Sequence, residues 1–218
     1  MKSWSLLALS LFAAQALAAP GPHPFDAHDL VMMDRVSDPH LSPDGSQVAF
    51  SVRETDYAAN KGVTSVWVQS LGKGAEPRKL AEGNSPRWSP DGKTVYFLSD
   101  KSGTSELWSV AAAGGAPVEL SNYPLDVNNF KLSPDGKRVL FSVDVFTDCA
   151  DLACSKARLD ARAADKASGR LYTRLFFRHW DSWEDGRRAQ LFVTPFGADG
   201  KPGAEPTLLS RGIDGDVP

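Results

Sequence analysis

Residues 89–98 read Ser-Pro-Asp-Gly-Lys-Thr-Val-Tyr-Phe-Leu, a tight turn running into a β-rich apolar stretch. The tetrapeptide recurs at Ser42 to Gly45, 47 residues earlier, and at Ser133 to Gly136, 44 residues later. The turn chemistry is specific: Pro presets φ for the first turn position, Asp bonds the backbone that follows it, and Gly takes the left-handed position that closes the turn. Each turn leads into an alternating or apolar run, Gln47 to Val52, Thr94 to Leu98 and Arg138 to Val143, which predicts a strand. A further strand recurs as Val66-Trp67-Val68, Leu107-Trp108-Ser109 and Leu191-Phe192-Val193, and another around Arg78 to Leu80, Val118 to Leu120 and Thr207 to Leu209. Short antiparallel strands, four to a unit of about 40–45 residues, define stacked blades. The predicted fold is all-β, an incomplete β-propeller of about three blades made of four-stranded antiparallel sheets. The tetrapeptides are structural and not catalytic.

The composition agrees. The chain has 218 residues, 42% hydrophobic and 23% charged, with 18 Gly and 15 Pro, which are values for a globular, turn-rich chain. Its 24 Lys and Arg against 27 Asp and Glu leave a formal charge of −3, so no global basic field holds a nucleic acid or an anionic membrane. Neither partner is expected, nor any cofactor or metal. Met1-Lys2, the apolar run Leu6 to Ala14 and Ala16-Leu17-Ala18 read as a secretory leader, residues 1–18, too short to span a bilayer. Residues 19–40 follow as a linker with a short helix, and 41–218 as the partial propeller. Export to a periplasmic or secreted location follows from the leader.

The opening segment Phe25 to Pro39, with Asp29-Leu30 and Arg35-Val36-Ser37-Asp38-Pro39 leading into the first turn, the three repeats, and Arg178-His179-Trp180-Asp181-Ser182-Trp183 ahead of Leu191 together resemble the prolyl oligopeptidase family of serine peptidases. The likeness is to its secreted bacterial dipeptidyl-peptidase and acylaminoacyl-peptidase branch. The resemblance implies an N-terminal propeller that gates and orients short peptides for a C-terminal α/β-hydrolase domain carrying a Ser-Asp-His triad. The turn repeats alone also fit a non-catalytic, TolB-like periplasmic binding propeller, which is the alternative reading. This chain holds no Gly-x-Ser-x-Gly elbow, so no catalytic residue is assigned within it. Three repeats fall short of the about four to eight blades of closed propellers. Two open flanks that left roughly 400 Å² of apolar surface uncovered would forgo on the order of 10 kcal/mol. The expectation is therefore the propeller portion of a longer enzyme, partnered by peptide substrate and by a hydrolase domain of the same full-length chain.

The third unit carries an insertion. Ser89 to Leu107 spans 18 residues but Ser133 to Leu191 spans 58, so about 40 extra residues, near 146–185, project from one face. In an exported chain Cys149 and Cys154 are predicted to form a disulfide, with free thiols or a metal pair as the other possibilities. Ser155 to Ala167 predicts a short exposed helix ending near Gly169, its charges a solvated face. Six aromatic or imidazole side chains follow within Leu171 to Trp183: Tyr172, Phe176, Phe177, His179, Trp180 and Trp183. In the family resembled, acidic side chains on the propeller side neutralise the free α-amine of the peptide while aromatics line small pockets. The substrate-binding candidates implied are His179, Trp180, Asp181, Trp183 and Glu184, with Asp148 and Asp151 next. The same residues would equally serve to hold the insertion onto its blade through ion pairs and stacking.

Overall fold

Ser-Pro-Asp-Gly forms the same hydrogen-bonded turn three times. Ser42 Oγ donates to Asp44 Oδ1 at 2.6 Å and accepts from the Gln47 N–H at 3.0 Å, while the Gly45 N–H closes onto Ser42 O at 2.9 Å. Ser89 with Asp91 and Ser133 with Asp135 repeat the pattern. Gly45, Gly92 and Gly136 sit at φ of 69°, 69° and 68°, a region that glycine enters without steric cost. The turns also stack from unit to unit, since a Cβ at Gly136 would meet Pro90 at 3.1 Å.

The computed structural model describes residues 23–169, 171, 172, 175 and 177–217. The expected leader and Phe176 lie outside these residues. Helix α1 (Ala27–Met32) opens on a capping box between Asp26 and Asp29. The first sheet comprises β1 (Arg35–Leu41), β2 (Gln47–Asp56), β3 (Lys61–Ser70) and β4 (Arg78–Glu82), and the second β5 (Asn84–Trp88), β6 (Thr94–Ser99), β7 (Glu106–Ala111) and β8 (Val118–Glu119). The third sheet begins with β9 (Asn129–Leu132) and β10 (Arg138–Val145); α2 (Leu152–Ala164), β11 (Arg178–His179) and β12 (Ser182–Trp183) intervene before β13 (Arg188–Pro195) and β14 (Thr207–Leu208) complete it. Each sheet of four is an antiparallel meander in chain order apart from that interruption.

Each turn lies between the first and second strands of its sheet, so a strand precedes every Ser-Pro-Asp-Gly. Two of these first strands are bulged. The register shifts between Ser37 and His40 and between Asn84 and Arg87, where Asp38 and Ser85 take φ of 51° and 56°. A bulge adds a residue and breaks the two-residue alternation. As a result the first sheet starts at Arg35, inside the stretch assigned to the linker. First strands pack on one another, β1 on β5 and β5 on β9, which places them nearest the axis about which the sheets are arranged.

The core lies between sheets. Ala49, Val66 and Val68 of the first sheet meet Val95, Phe97 and Val110 of the second, and Leu98 and Leu107 of the second meet Val139, Phe141 and Phe192 of the third, with Tyr123, Leu125 and Val127 filling in. Polar clasps join the same neighbours. Arg87 Nη1 donates to Asp38 Oδ2 at 2.7 Å, and Trp88 Nε1 donates to His40 O at 2.9 Å. Burial works to raise the Asp38 carboxyl, but hydrogen bonds from Arg87 and His40 outweigh it and hold the group below its ordinary range. No helix among the described residues is long and apolar enough to cross a membrane.

Candidate functional site

The insertion leaves the end of β10 and is anchored before it projects. Cys149 and Cys154 are joined by a disulfide with Cα atoms 5.6 Å apart. A turn leads into the first of them, the Cys149 N–H closing onto Phe146 O at 2.9 Å, and α2 starts between the two at Leu152. Asp151 is its N-cap, accepting from the Cys154 N–H at 2.7 Å. The helix therefore begins three residues before the predicted Ser155. It ends at Ala164, not near Gly169, because the Asp165 carboxylate captures the Ala167 N–H at 2.9 Å and turns the chain out of helical geometry.

The charges of α2 are not a merely solvated face. Ser155 is fully buried and accepts from the Phe146 N–H at 3.1 Å. Arg158 and Arg162 both place their guanidinium groups over the Phe146 ring, 4.5 and 4.6 Å from its centroid. Arg158 also pairs bidentately with Asp148 at 2.8 Å for each bond, which holds that carboxyl low. Arg162 Nη1 donates to Asp185 O at 2.5 Å. The helix thus ties the start of the insertion to its return.

On the return, β11 and β12 form a two-residue hairpin, Arg178 opposite Trp183 and His179 opposite Ser182, with Trp180 and Asp181 at its tip. Trp180 sits at φ 53°, where a bulky residue is uncommon and strained. The Arg178 side chain steadies the tip, donating through Nε to Trp180 O at 2.7 Å while its guanidinium lies 5.3 Å from the Trp183 ring centroid. Behind it Tyr172, Phe177 and Trp183 cluster with ring centroids 5.4–6.0 Å apart. Trp180 is 83% exposed and Trp183 52%, so both indoles of the hairpin reach solvent.

The four carboxylates sort into different roles. Asp148 is held by Arg158, Asp151 caps α2, and Glu184 pairs with Arg188 at 2.9 Å where the hairpin rejoins the sheet. Asp181 is exposed at the tip, and no ion pair to a described residue engages it. Among the described residues, His23, Asp26 and Asp29 have potential ligand atoms within 4.8 Å of one another, but both carboxylates already serve the capping box of α1. Sequence reasoning passed over Glu106, fully buried in β7. Its carboxylate accepts from the Tyr123 N–H at 2.8 Å, from Thr104 Oγ1 at 3.2 Å and from Ser121 Oγ. Burial pushes its pKa up, against the lowering effect of those donors. The available signal was its place in the repeat, just before Leu107-Trp108, where the other units carry the equally buried Ser65 and Gln190.

Three four-stranded meanders side by side, their first strands innermost and apolar faces packed sheet to sheet, define a β-propeller. The profile of the lipoprotein LpqB β-propeller domain matches residues 25–148, and this chain belongs to that family. Its relatives are peptidases. Dipeptidyl-peptidase 5 of Porphyromonas gingivalis is 33% identical over 190 residues, covering 84% of this chain and 27% of the relative. The uncharacterized peptidase YuxL of Bacillus subtilis is 31% identical over 123 residues, 55% of this chain and 19% of the relative. The acylaminoacyl peptidase of Pyrococcus horikoshii superposes with a TM-score of 0.59 at 13% identity, covering 83% of this chain and 26% of that one. The chain thus spans about a quarter of the lengths it matches, and the relatives identify it as a propeller segment of the prolyl oligopeptidase kind.

Proposed function

We propose that this chain is the propeller portion of an exported serine exopeptidase, and that its insertion recognises the amino end of short peptides for a C-terminal α/β-hydrolase domain. The observation that carries the reading is the hairpin tip: the exposed carboxylate of Asp181, which makes no ion pair with a described residue, between exposed Trp180 and Trp183. An ammonium group docked on Asp181 would gain a charge-assisted hydrogen bond, and the indole faces would add cation–π attraction and cover for the first side chain. The relationship to dipeptidyl-peptidase 5 supports a peptide ligand with a free amine. His179, whose backbone pairs with Ser182, and Glu184 at the foot of the hairpin act in this reading as its frame.

The test is binding of short peptides to the purified chain by calorimetry, comparing a free-amine tripeptide with its N-acetylated form. The free amine should bind at least tenfold more tightly, a difference of about 1.4 kcal/mol, and Asp181→Asn should abolish the difference. Equal affinity for the two peptides, or a preference that survives Asp181→Asn, would overturn the reading.

A further inference from the structure

The two contacts between neighbouring sheets are built alike but filled differently. Phe97 and Phe141 hold the same place after their Ser-Pro-Asp-Gly turns and stand opposite Trp108 and Phe192. Between the second and third sheets the link of residues 120–128 folds into the contact. Tyr123 stacks on Phe141 with ring centroids 5.0 Å apart, and Leu125 and Val127 are buried with it, so the space left beside Phe141 is about 10 Å³. Between the first and second sheets the link is Gly83 alone, from Glu82 at the end of β4 to Asn84 at the start of β5. It runs so close to β6 that a Cβ at Gly83 would collide with Leu98 O. The link therefore has no side chain to stack on Phe97, and a cavity of about 240 Å³ lies there, lined among others by Glu82, Phe97, Ser99, Lys101 and Trp108. Both of its walls belong to the first and second sheets, neighbours within this chain.

The polar groups of the cavity are not used by the fold. Ser99 is 4% exposed, and no described residue bonds its hydroxyl. The Trp108 indole N–H is buried with no acceptor among the described residues, and such orphaned groups are costly and uncommon. Glu82 and Lys101 are exposed and form no ion pair with a described residue. Ser99 ends β6 with Lys101 just beyond it, while Glu82 ends β4 on the opposite wall. The cavity thus offers a cation with a hydroxyl on one side, an anion on the other and aromatic rings beneath. Its volume lies under the ~300–1,000 Å³ of sites for drug-sized ligands. We infer that it binds a free α-amino acid with an aliphatic side chain. Glu82 takes the ammonium group, Lys101 and the Ser99 hydroxyl take the carboxylate, and the aliphatic side chain lies against Phe97 and Trp108; the charged contacts are the strong ones. The inference does not depend on peptide binding at the hairpin tip, which stands on the insertion of the third sheet.

The test is calorimetric titration of the protein in its full length with L-leucine, with leucine amide, which lacks the carboxylate, and with 4-methylpentanoate, which lacks the ammonium group. Leucine should bind with a dissociation constant of about 1 mM or lower, and each analogue about tenfold or more weakly. Glu82→Gln and Lys101→Gln, both at exposed positions, should each weaken leucine by about tenfold or more. Ala81→Leu, which places a larger side chain on the cavity wall, should abolish binding. Asp181→Asn should leave leucine affinity unchanged, which separates this site from the hairpin tip. No binding of leucine, equal binding of all three compounds, affinity that survives both Glu82→Gln and Lys101→Gln, or affinity lost in Asp181→Asn would each overturn the inference. Circular dichroism verifies that each variant is folded, and the two exposed variants carry the test if Ala81→Leu is not.

Discussion

At the scale of single residues, the repeat constrains buried polar groups as firmly as apolar ones. Ser65, Glu106 and Gln190 occupy one position in the three units and are almost wholly buried. In the second and third units the fourth side is closed the same way: Ser121 Oγ donates to Glu106 and accepts from the Leu107 N–H, and Ser210 Oγ donates to Gln190 and accepts from the Leu191 N–H. Removing the Glu106 carboxylate strands the Tyr123 N–H in the core, at about 1–3 kcal/mol for an orphaned buried group. Glu106→Ala should therefore cost about 3 kcal/mol in urea unfolding, and Glu106→Gln about half of that or less, because Gln190 shows the position accepts an amide. A loss of equal size in both variants would mean that the position requires charge. The turn aspartates set the acid limit. Asp44 is lowered from 3.8 to about 2, first by the Ser42 hydroxyl and then by Ser46, and Asp91 and Asp135 are lowered by Ser89 and Ser133. A folded-state pKa below the unfolded value contributes stability that is whole above the unfolded value and is lost as pH falls through the folded one. The thermal midpoint should drop between about pH 4 and 2, and Asp44→Asn should flatten that drop while lowering the midpoint at pH 7.

At the scale of elements, the insertion is two units with different mechanical standing. The first, from Phe146 through α2, is fastened by the disulfide, by the buried Ser155 and by two arginines on one phenylalanine ring. The second, the β11–β12 hairpin, stands on contacts that the first provides, above all Arg162 to Asp185 O. Closing so short a loop stabilises by roughly 2 kcal/mol in the chain-entropy account. Replacing both Cys149 and Cys154 by Ser should lower stability by about that amount, read as a fall in the unfolding midpoint. Arg162→Ala should leave stability within about 1 kcal/mol yet weaken binding of a free-amine peptide several-fold, since the hairpin loses its tether but keeps its shape. Unchanged peptide affinity in Arg162→Ala would show that the hairpin holds its position unaided.

At the scale of the whole molecule, stability resides between sheets and not within them. Isolated four-stranded meanders bury little, and most of the buried apolar residues among those described fall into two clusters, each shared by two sheets.

The sequence by itself determined the repeat, the turns and the alternation that assigns each strand a face, because these depend on φ preferences and on a period of two that neighbours in the chain impose on one another. Ser42, Ser89 and Ser133 mark equivalent points, and from them the all-β propeller and the site of the insertion follow. The bulged first strands were hidden, since Asp38 and Ser85 break the two-residue alternation at positive φ, and the clasp of Asp38 by Arg87 of the next sheet is one that no local pattern records. The bounds of α2 depended on which of several aspartates would cap it. Among the candidate carboxylates composition could not choose. Only the folded chain brought Arg188 to Glu184 and Arg158 to Asp148 while leaving Asp181 at the tip, because pairing of charges depends on distances that packing decides and adjacency in sequence does not.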